Sequence, residues 1–438
     1  MSPAAARSTA AQGAHTLAAR LVIYAAAFCG SVIIARGLGA SGNGLYSVAM
    51  TIGSIATLIG SVGFEQAQAK VWSRGRHAPA ALHGSAIRVA AIAGGAWALV
   101  AVAIWAAGRD SVFEGFGLGA AIAIVAALVP LRVLLTLLRG LLIVTGDITR
   151  SNVALAVGDV VRTLIIAGLA LAGALSVEAV LGALWAAVLV ALAVHWIAAG
   201  RPGRPPPGLV GEQLCVGAAL SPYFVFLVLN LRIDVLMLAA LATTRDVGNY
   251  AVAVIFAELV WLITDAVNAG ARERQWSASP DDALAATAAA ARMSLLLALL
   301  VLPLLAVAAP VAIHLLFGVE YTDATDALWA LLPAAVAMAW WRALSAGLVR
   351  FGRARTVNTV ALVALVANVA LNVVLIPRLG LAGAALASLG SYTIGALLAA
   401  SLVAARLGWR ALLPQRADAR RLRAFAGELA AVGLRQRV

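Results

Sequence analysis

Five residues, Glu258, Trp261, Asp265, Asn268 and Arg272, recur at intervals of three or four and so share one face of a helix. Two carboxylates spaced by two turns can take up a proton or a cation, and in an apolar surrounding they need a wet surface to face. Residues 204 positions earlier repeat the pattern in smaller groups: Ser47, Thr51, Ser54, Ser61 and Glu65, with Ser54 matched to Glu258 and Ser61 to Asp265. Two matched polar stripes are what a water-filled cavity between helical lobes requires. Helix packing through small residues explains the serines as well, but it explains the acids poorly. Asp159 and Arg162, three apart, can neutralise each other on one face or present charge to a ligand. Arg232 and Asp234 point in nearly opposite directions, whereas Tyr223, Asn230 and Asp234 share a face of a helix that Pro222 loosens. Arg132 and Arg342 lie seven and eight residues before Arg139 and Arg350, which reads as partial snorkelling.

Other chemistries lack their residues. The chain has no Walker A sequence, no G-x-S-x-G and no CxxC, and His15, His77, His83, His195 and His314 follow no zinc spacing. Gly37-Leu-Gly-Ala-Ser-Gly42 has the form G-x-G-x-x-G, but a dinucleotide site needs that motif between a strand and a helix. Here it reads as an external turn between two apolar helices. No catalytic residue, cofactor or metal is expected. Cys29 and Cys215 sit singly in apolar runs and read as small packing residues.

The element that must position these residues is a membrane bundle. Of 438 residues 63% are hydrophobic and 12% charged, an excess that no water-soluble fold could bury. Twelve stretches come near the ~20 apolar residues that a helix needs to cross a bilayer. They cover roughly 15–35, 44–64, 84–107, 117–139, 150–172, 177–199, 214–241, 248–269, 291–314, 327–349, 356–376 and 381–404. The first run is long enough to span and reads as a span, with no cleavable signal before it. Of 32 basic residues, 24 fall on one side, 4 (Arg36, Arg109, Arg245 and Arg378) on the other and 4 within spans. Positive-inside bias then places the chain in the cytoplasmic membrane with both termini in the cytoplasm. A net charge of +13 spread over short loops forms no groove for nucleic acid. Arg416, Arg420, Arg421 and Arg423 of the tail suit anionic lipid headgroups instead.

The Pro-rich stretch Arg201-Pro-Gly-Arg-Pro-Pro-Pro-Gly208 reads as a boundary. It predicts an N-terminal six-helix lobe over 1–200, a cytoplasmic linker over 201–213, a C-terminal six-helix lobe over 214–404 and a basic tail over 405–438. Gly44-Leu-Tyr46 matches Gly248-Asn-Tyr250 at an offset of 204, and Gly146 with Asn152 matches Gly352 with Asn358 at 206. With six spans per half, the repeats run parallel, as in transporters whose substrate path lies between the halves.

Arg36-Gly-Leu-Gly-Ala-Ser-Gly-Asn-Gly-Leu-Tyr46, with Ile52 to Gly63-Phe64, resembles the first hairpin of polysaccharide-lipid flippases of the multidrug/oligosaccharidyl-lipid/polysaccharide exporter superfamily. Arg232-Ile-Asp-Val-Leu-Met-Leu238 and Val247-Gly-Asn-Tyr250 resemble that family's seventh and eighth spans. Gly318-Val-Glu-Tyr321, Gly352-Arg353, Asn372-Val-Val-Leu-Ile-Pro377 and Gly380-Leu-Ala-Gly-Ala-Ala385 resemble its last third. The resemblance implies two helical bundles in a V around a central cavity, alternating access, and an oligosaccharide on a polyprenyl-pyrophosphate carrier as substrate.

On this reading the substrate cavity is expected to draw on Glu258, Asp265, Arg232, Asp234, Asn230, Arg162, Asp159, Ser54 and Ser61. Arginines, Arg232 among them, would hold the pyrophosphate by bidentate hydrogen bonds, and a carboxylate would take up H+ or Na+. Cation-coupled extrusion of a small cationic drug or metabolite is the alternative on the same fold, and Glu258 and Asp265 suit it. A membrane glycosyltransferase would need a sizeable external loop with catalytic carboxylates, and the longest expected external loop, Phe317 to Asp326, is too short for one.

Overall fold

The computed structural model describes residues 3–61, 63–75, 77–109, 117–277, 280–350, 354–416 and 418, and every regular element among them is helical. In chain order these are α1 (Pro3–Ser61), α2 (Phe64–Ser73), α3 (Pro79–Val89), α4 (Gly95–Gly108), α5 (Gly119–Thr145) and α6 (Ile148–Leu171). They continue as α7 (Val177–Ala199), α8 (Leu209–Leu241), α9 (Thr244–Ser277), α10 (Pro280–Ala312), α11 (Ala324–Arg350) and α12 (Ala354–Leu407). Among the described residues, nine helical stretches are long and apolar enough to cross a membrane. Two of them, Ala19–Ser61 and Arg355–Leu407, run 43 and 53 residues, about twice the bilayer core at 1.5 Å per residue. Each is broken by one non-helical glycine, Gly39 at φ 67° and Gly380 at φ 56°. Such positive φ values suit glycine alone. With α9 lying over the expected eighth span, every expected span falls on a helix. The chain is an all-helical, multi-pass membrane protein.

The turn expected over Gly37–Gly42 is made at Gly39, where α1 consists of two helices that meet at one non-helical residue. A short segment from the α10–α11 connection fills the polar groups around it. The Ala40 N–H, the first beyond the kink, donates to the Glu320 carboxylate at 3.2 Å, and the Tyr321 hydroxyl donates to the Ala35 carbonyl at 2.8 Å. Arg36 Nε donates to the Leu316 carbonyl at 2.7 Å, and Phe317 meets Phe28 and Tyr321 edge-on. Burial, with Glu320 beside it, pushes the Tyr321 hydroxyl well above the usual tyrosine range, so it stays a donor at physiological pH.

The chain forms two compact units, Met1–Ala251 with Leu316–Tyr321, and Val252–Leu315 with Thr322–Val438. In the first, α1 packs against α5, α6 and α8. Its apolar clusters join Leu128, Leu184 and Val188 with Met50, and Ile34, Ile166, Val180 and Ala183 with Tyr46. The Pro-rich segment is seated inside this unit. Gly203 N–H donates to the Ala80 carbonyl at 2.8 Å, its own carbonyl occupies the space that a Cβ on Gly84 would need, and Arg74 pairs with Glu212 just beyond. Near the other end of α8, Gly44 and Gly248 face each other so closely that a Cβ on either would overlap backbone, of Thr244 or of Ala40. These are the two glycines matched by the 204-residue offset.

In the second unit α11 packs on α10 and α12, with the Trp341 ring filling the space beside Gly395. Asn368 donates to Ser391 at 3.0 Å, and Asn372 donates to Asn368, all three fully buried. After α12 the chain turns back onto α10. Arg292 makes a fork-like pair with Asp418, Nε to Oδ2 at 2.8 Å and Nη2 to Oδ1 at 3.3 Å, and also reaches the Ala411 carbonyl. Arg416 is exposed, while Arg420, Arg421 and Arg423 lie outside the described residues. Cys29 and Cys215 are exposed and free rather than packed within their units.

Candidate functional site

Two helices of the first unit, α5 and α6, carry charge near their midpoints, and α1 adds a tyrosine. In α5 the run Leu128-Val-Pro-Leu-Arg132 is apolar apart from its arginine. Pro130 cannot donate within the helix, and its backbone lies against Gly94, where a side chain would not fit. Arg132 stands at the midpoint of α5, roughly 20 Å from either end at 1.5 Å per residue. The helix continues past Arg139 to Thr145, so Arg132 stands further from the helix end than its distance to Arg139 suggested.

On α6, Arg162 Nη2 lies 3.3 Å from Asp159 Oδ1, the expected i,i+3 pair. One residue on, the Thr163 hydroxyl donates to the Asp159 carbonyl and to the Ala26 carbonyl of α1, each at 2.9 Å, which ties α6 to the first leg of α1. Gly158 lets α6 approach the backbone of α7 at Ala187. The second leg of α1 contributes Tyr46, whose hydroxyl lies in the fields of Arg162, Arg132 and Asp159. Arg132 and Arg162 also act on each other as like charges.

Arg132 Nη1 and Arg162 Nε are buried without a hydrogen-bond partner. A buried donor left so costs about 1–3 kcal/mol, more when charged. Two guanidinium groups therefore keep N–H donors unused, one of them already held by a carboxylate, and such donors suit a group rich in acceptor oxygens. Sequence reasoning placed Asp159 and Arg162 in the candidate site, read Arg132 as a snorkelling residue and named Tyr46 only as a repeat match. The repeat offset held a signal for Tyr46, since its match Tyr250 also serves an intramembrane charge.

That second tyrosine, 2% exposed, donates to Asp234 Oδ2 at 2.9 Å, and Asp234 is 1% exposed. Asn230 is fully buried on the same helix, and Arg232 is half-buried. Ser54 and Ser61 hydrogen-bond to carbonyls of their own helix, Thr51 at 2.9 Å and Leu58 at 3.1 Å. Glu258 is half-buried on α9, whereas the side chains of Asp265 and Arg272 lie outside the described residues. Two members of that stripe serve packing: Trp261 Nε1 donates to the Ala335 carbonyl at 3.0 Å, and Asn268 accepts from Ser294 at 3.3 Å. Arg342, expected to snorkel, instead sits over the Trp261 ring, 5.6 Å from its centroid. Among the described residues no three His, Cys, Asp or Glu side chains could hold a metal ion together.

Several solved structures share this fold. A multidrug resistance MATE family transporter of the MOP superfamily, in an inward-facing conformation, is 16% identical with a TM-score of 0.66, over 87% of this chain and 94% of that one. The lipid II flippase MurJ, inward closed, is 13% identical with a TM-score of 0.65, over 90% and 87%. A MOP superfamily transporter from Pyrococcus furiosus, described as having a binding pocket of reversed polarity, is 15% identical with a TM-score of 0.63, over 89% and 94%. No curated protein matches the chain by sequence. The family model for polysaccharide biosynthesis proteins matches residues 10–264, which include most of α1, all of α2 to α8, and Tyr46, Arg132, Asp159 and Arg162. By that match, over more than half its length, the chain belongs to the polysaccharide biosynthesis protein family.

Proposed function

We propose that the chain is a carrier, not a catalyst, which moves an oligosaccharide on a polyprenyl pyrophosphate from the cytoplasmic to the outer leaflet of the cytoplasmic membrane. The observation that carries this reading is the pair of mid-membrane arginines, Arg132 and Arg162, with buried N–H groups left to donate. A lipid-linked pyrophosphate is an anion that enters a membrane by nature, and its oxygens accept the fork of hydrogen bonds that arginine offers. A family named for polysaccharide synthesis, and a lipid II flippase of the same fold, support the choice of substrate.

In this scheme the two six-helix lobes rock about the pathway. Both termini are cytoplasmic, and the tail arginines rest on anionic lipid. Glu258 and Asp265 line the wet path and take the coupling H+ or Na+. Arg232, Asp234, Asn230, Ser54 and Ser61 line the remainder of it.

The test is flipping of a polyprenyl-pyrophosphate-linked saccharide in vesicles holding the purified protein. Arg132→Gln and Arg162→Gln should each lower the rate at least about tenfold, the loss of one charged hydrogen bond, with folding unchanged in detergent. Wild-type flipping by the double variant would overturn the proposal. Extrusion of a cationic dye with no flipping would favour the drug-transport alternative.

A further inference from the structure

Taken together, Arg132, Arg162 and Asp159 hold one net positive charge while the carboxylate is ionised, and two once it is protonated. A pyrophosphate diester carries two negative charges. The pocket and this ligand therefore balance only after Asp159 has gained a proton. Geometry points the same way. Arg162 gives Nη2 to Asp159 at 3.3 Å while its Nε has no partner, so a phosphate that takes Nε and Nη2 as a two-pronged fork takes Nη2 from the carboxylate.

We propose that Asp159 is the resident counter-ion of the empty pocket and that a dianionic lipid-linked pyrophosphate displaces it from Arg162 with uptake of one proton. This rests on the pyrophosphate reading above. No covalent bond changes. Arg162 passes from carboxylate to phosphate, one proton moves from the adjoining water to Asp159, and release reverses both. The groups facing Asp159 are Arg162 on its own helix, Tyr46 from α1 and, beyond Tyr46, Arg132 from α5. From α7, the remaining neighbour, the ionisable groups Glu178 and His195 lie near the two ends of the helix, away from this depth.

Keeping Asp159 ionised when the pocket is empty lowers the cost of two adjacent guanidinium groups in lipid. Neutralising it when the pocket is full removes a repulsion between carboxylate and phosphate. Binding and proton uptake are then reciprocal: acid tightens binding, and bound anion promotes protonation.

The experiment measures binding of farnesyl-pyrophosphoryl-N-acetylglucosamine, a dianion, to the full-length protein in detergent across the acid-to-neutral range. Where the free site is ionised and the bound site protonated, wild-type affinity should fall about tenfold per pH unit. Asp159→Asn should bind with no pH dependence and at least as tightly as the wild type at its acid limit. Asp159→Glu, which keeps a titratable group, should restore the slope and serves if the Asn variant folds poorly. Farnesyl-phosphoryl-glucose, a monoanion, should show a weaker slope. A flat wild-type profile, or a wild-type slope in Asp159→Asn, overturns the linkage. If Arg132→Gln and Arg162→Gln bind normally, the pyrophosphate reading itself fails. If they lose binding while Asp159→Asn keeps the slope, only the linkage fails.

Discussion

Tyr46 and Tyr250 occupy matched places in the two halves of the sequence, yet their surroundings differ. Tyr250 is buried and gives its hydroxyl to a buried carboxylate, Asp234, at 2.9 Å. Tyr46 is half-buried and lies in the field of two arginines that keep donors in reserve. The first arrangement is closed: donor meets acceptor, and the charge is held by the protein's own hydrogen bond. The second is open, with more donor capacity than acceptors. The 204-residue offset puts a tyrosine in the field of a charge at both matched positions. Which residues the neighbouring helices supply decides whether the tyrosine serves a closed brace or, on the function proposed above, a binding pocket.

The harshest way to break this comparison is at the glycines preceding the two tyrosines. Gly44→Val or Gly248→Val drives a side chain into the facing backbone, and overpacking against backbone exceeds the ~1–3 kcal/mol typical of side-chain crowding. Neither variant should yield monodisperse protein on size-exclusion chromatography. Next comes Tyr250→Phe, which strips a hydrogen bond from a buried carboxylate. A loss of about 1.5–3 kcal/mol should appear as a lowered midpoint of thermal unfolding in detergent. Tyr46→Phe should leave that midpoint alone and weaken anion binding about three- to tenfold, the effect of one ordinary hydrogen bond. Equal thermal losses in the two Phe variants would erase the distinction drawn between brace and pocket. Smallest is Arg232→Lys, which keeps charge but loses the planar fork. We expect flipping reduced by less than about tenfold, since Arg132 and Arg162 keep the main contacts; no change at all would remove Arg232 from the pathway.

Helix positions and the Asp159–Arg162 pair were legible because they depend on local spacing: apolar run length for spans, i,i+3 for the pair. Gly37–Gly42 was legible as a change of direction, although the structure needs only Gly39 to make it. The place of Arg132 along its helix was harder to read, because it was counted from Arg139 as if a second arginine marked a helix end. The structure carries α5 on to Thr145. Its partnership with Tyr46 and Arg162 spans three helices, and no spacing rule within one helix encodes that. The α9 stripe was legible only as a shared face. Periodicity showed correctly that Trp261 and Asn268 share a face, but their polar atoms serve α11 and α10. One-dimensional polarity tells which side of a helix wants a partner, and does not tell whether that partner is water or protein.

The segment Leu316–Tyr321 belongs by its contacts to the first unit but by its place in the chain to the connection after α10. That has a consequence for the order of synthesis. Domains tend to fold as the ribosome makes them, N-terminal first, but this unit cannot finish that way. Until α10 has been made and inserted, the Ala40 N–H lacks the Glu320 carboxylate and the Ala35 carbonyl lacks the Tyr321 hydroxyl. The kink at Gly39 must therefore pass through the translocon and wait in the bilayer with its polar groups served by water or lipid. The nascent protein is left with an unfinished corner that closes only when residue 321 emerges.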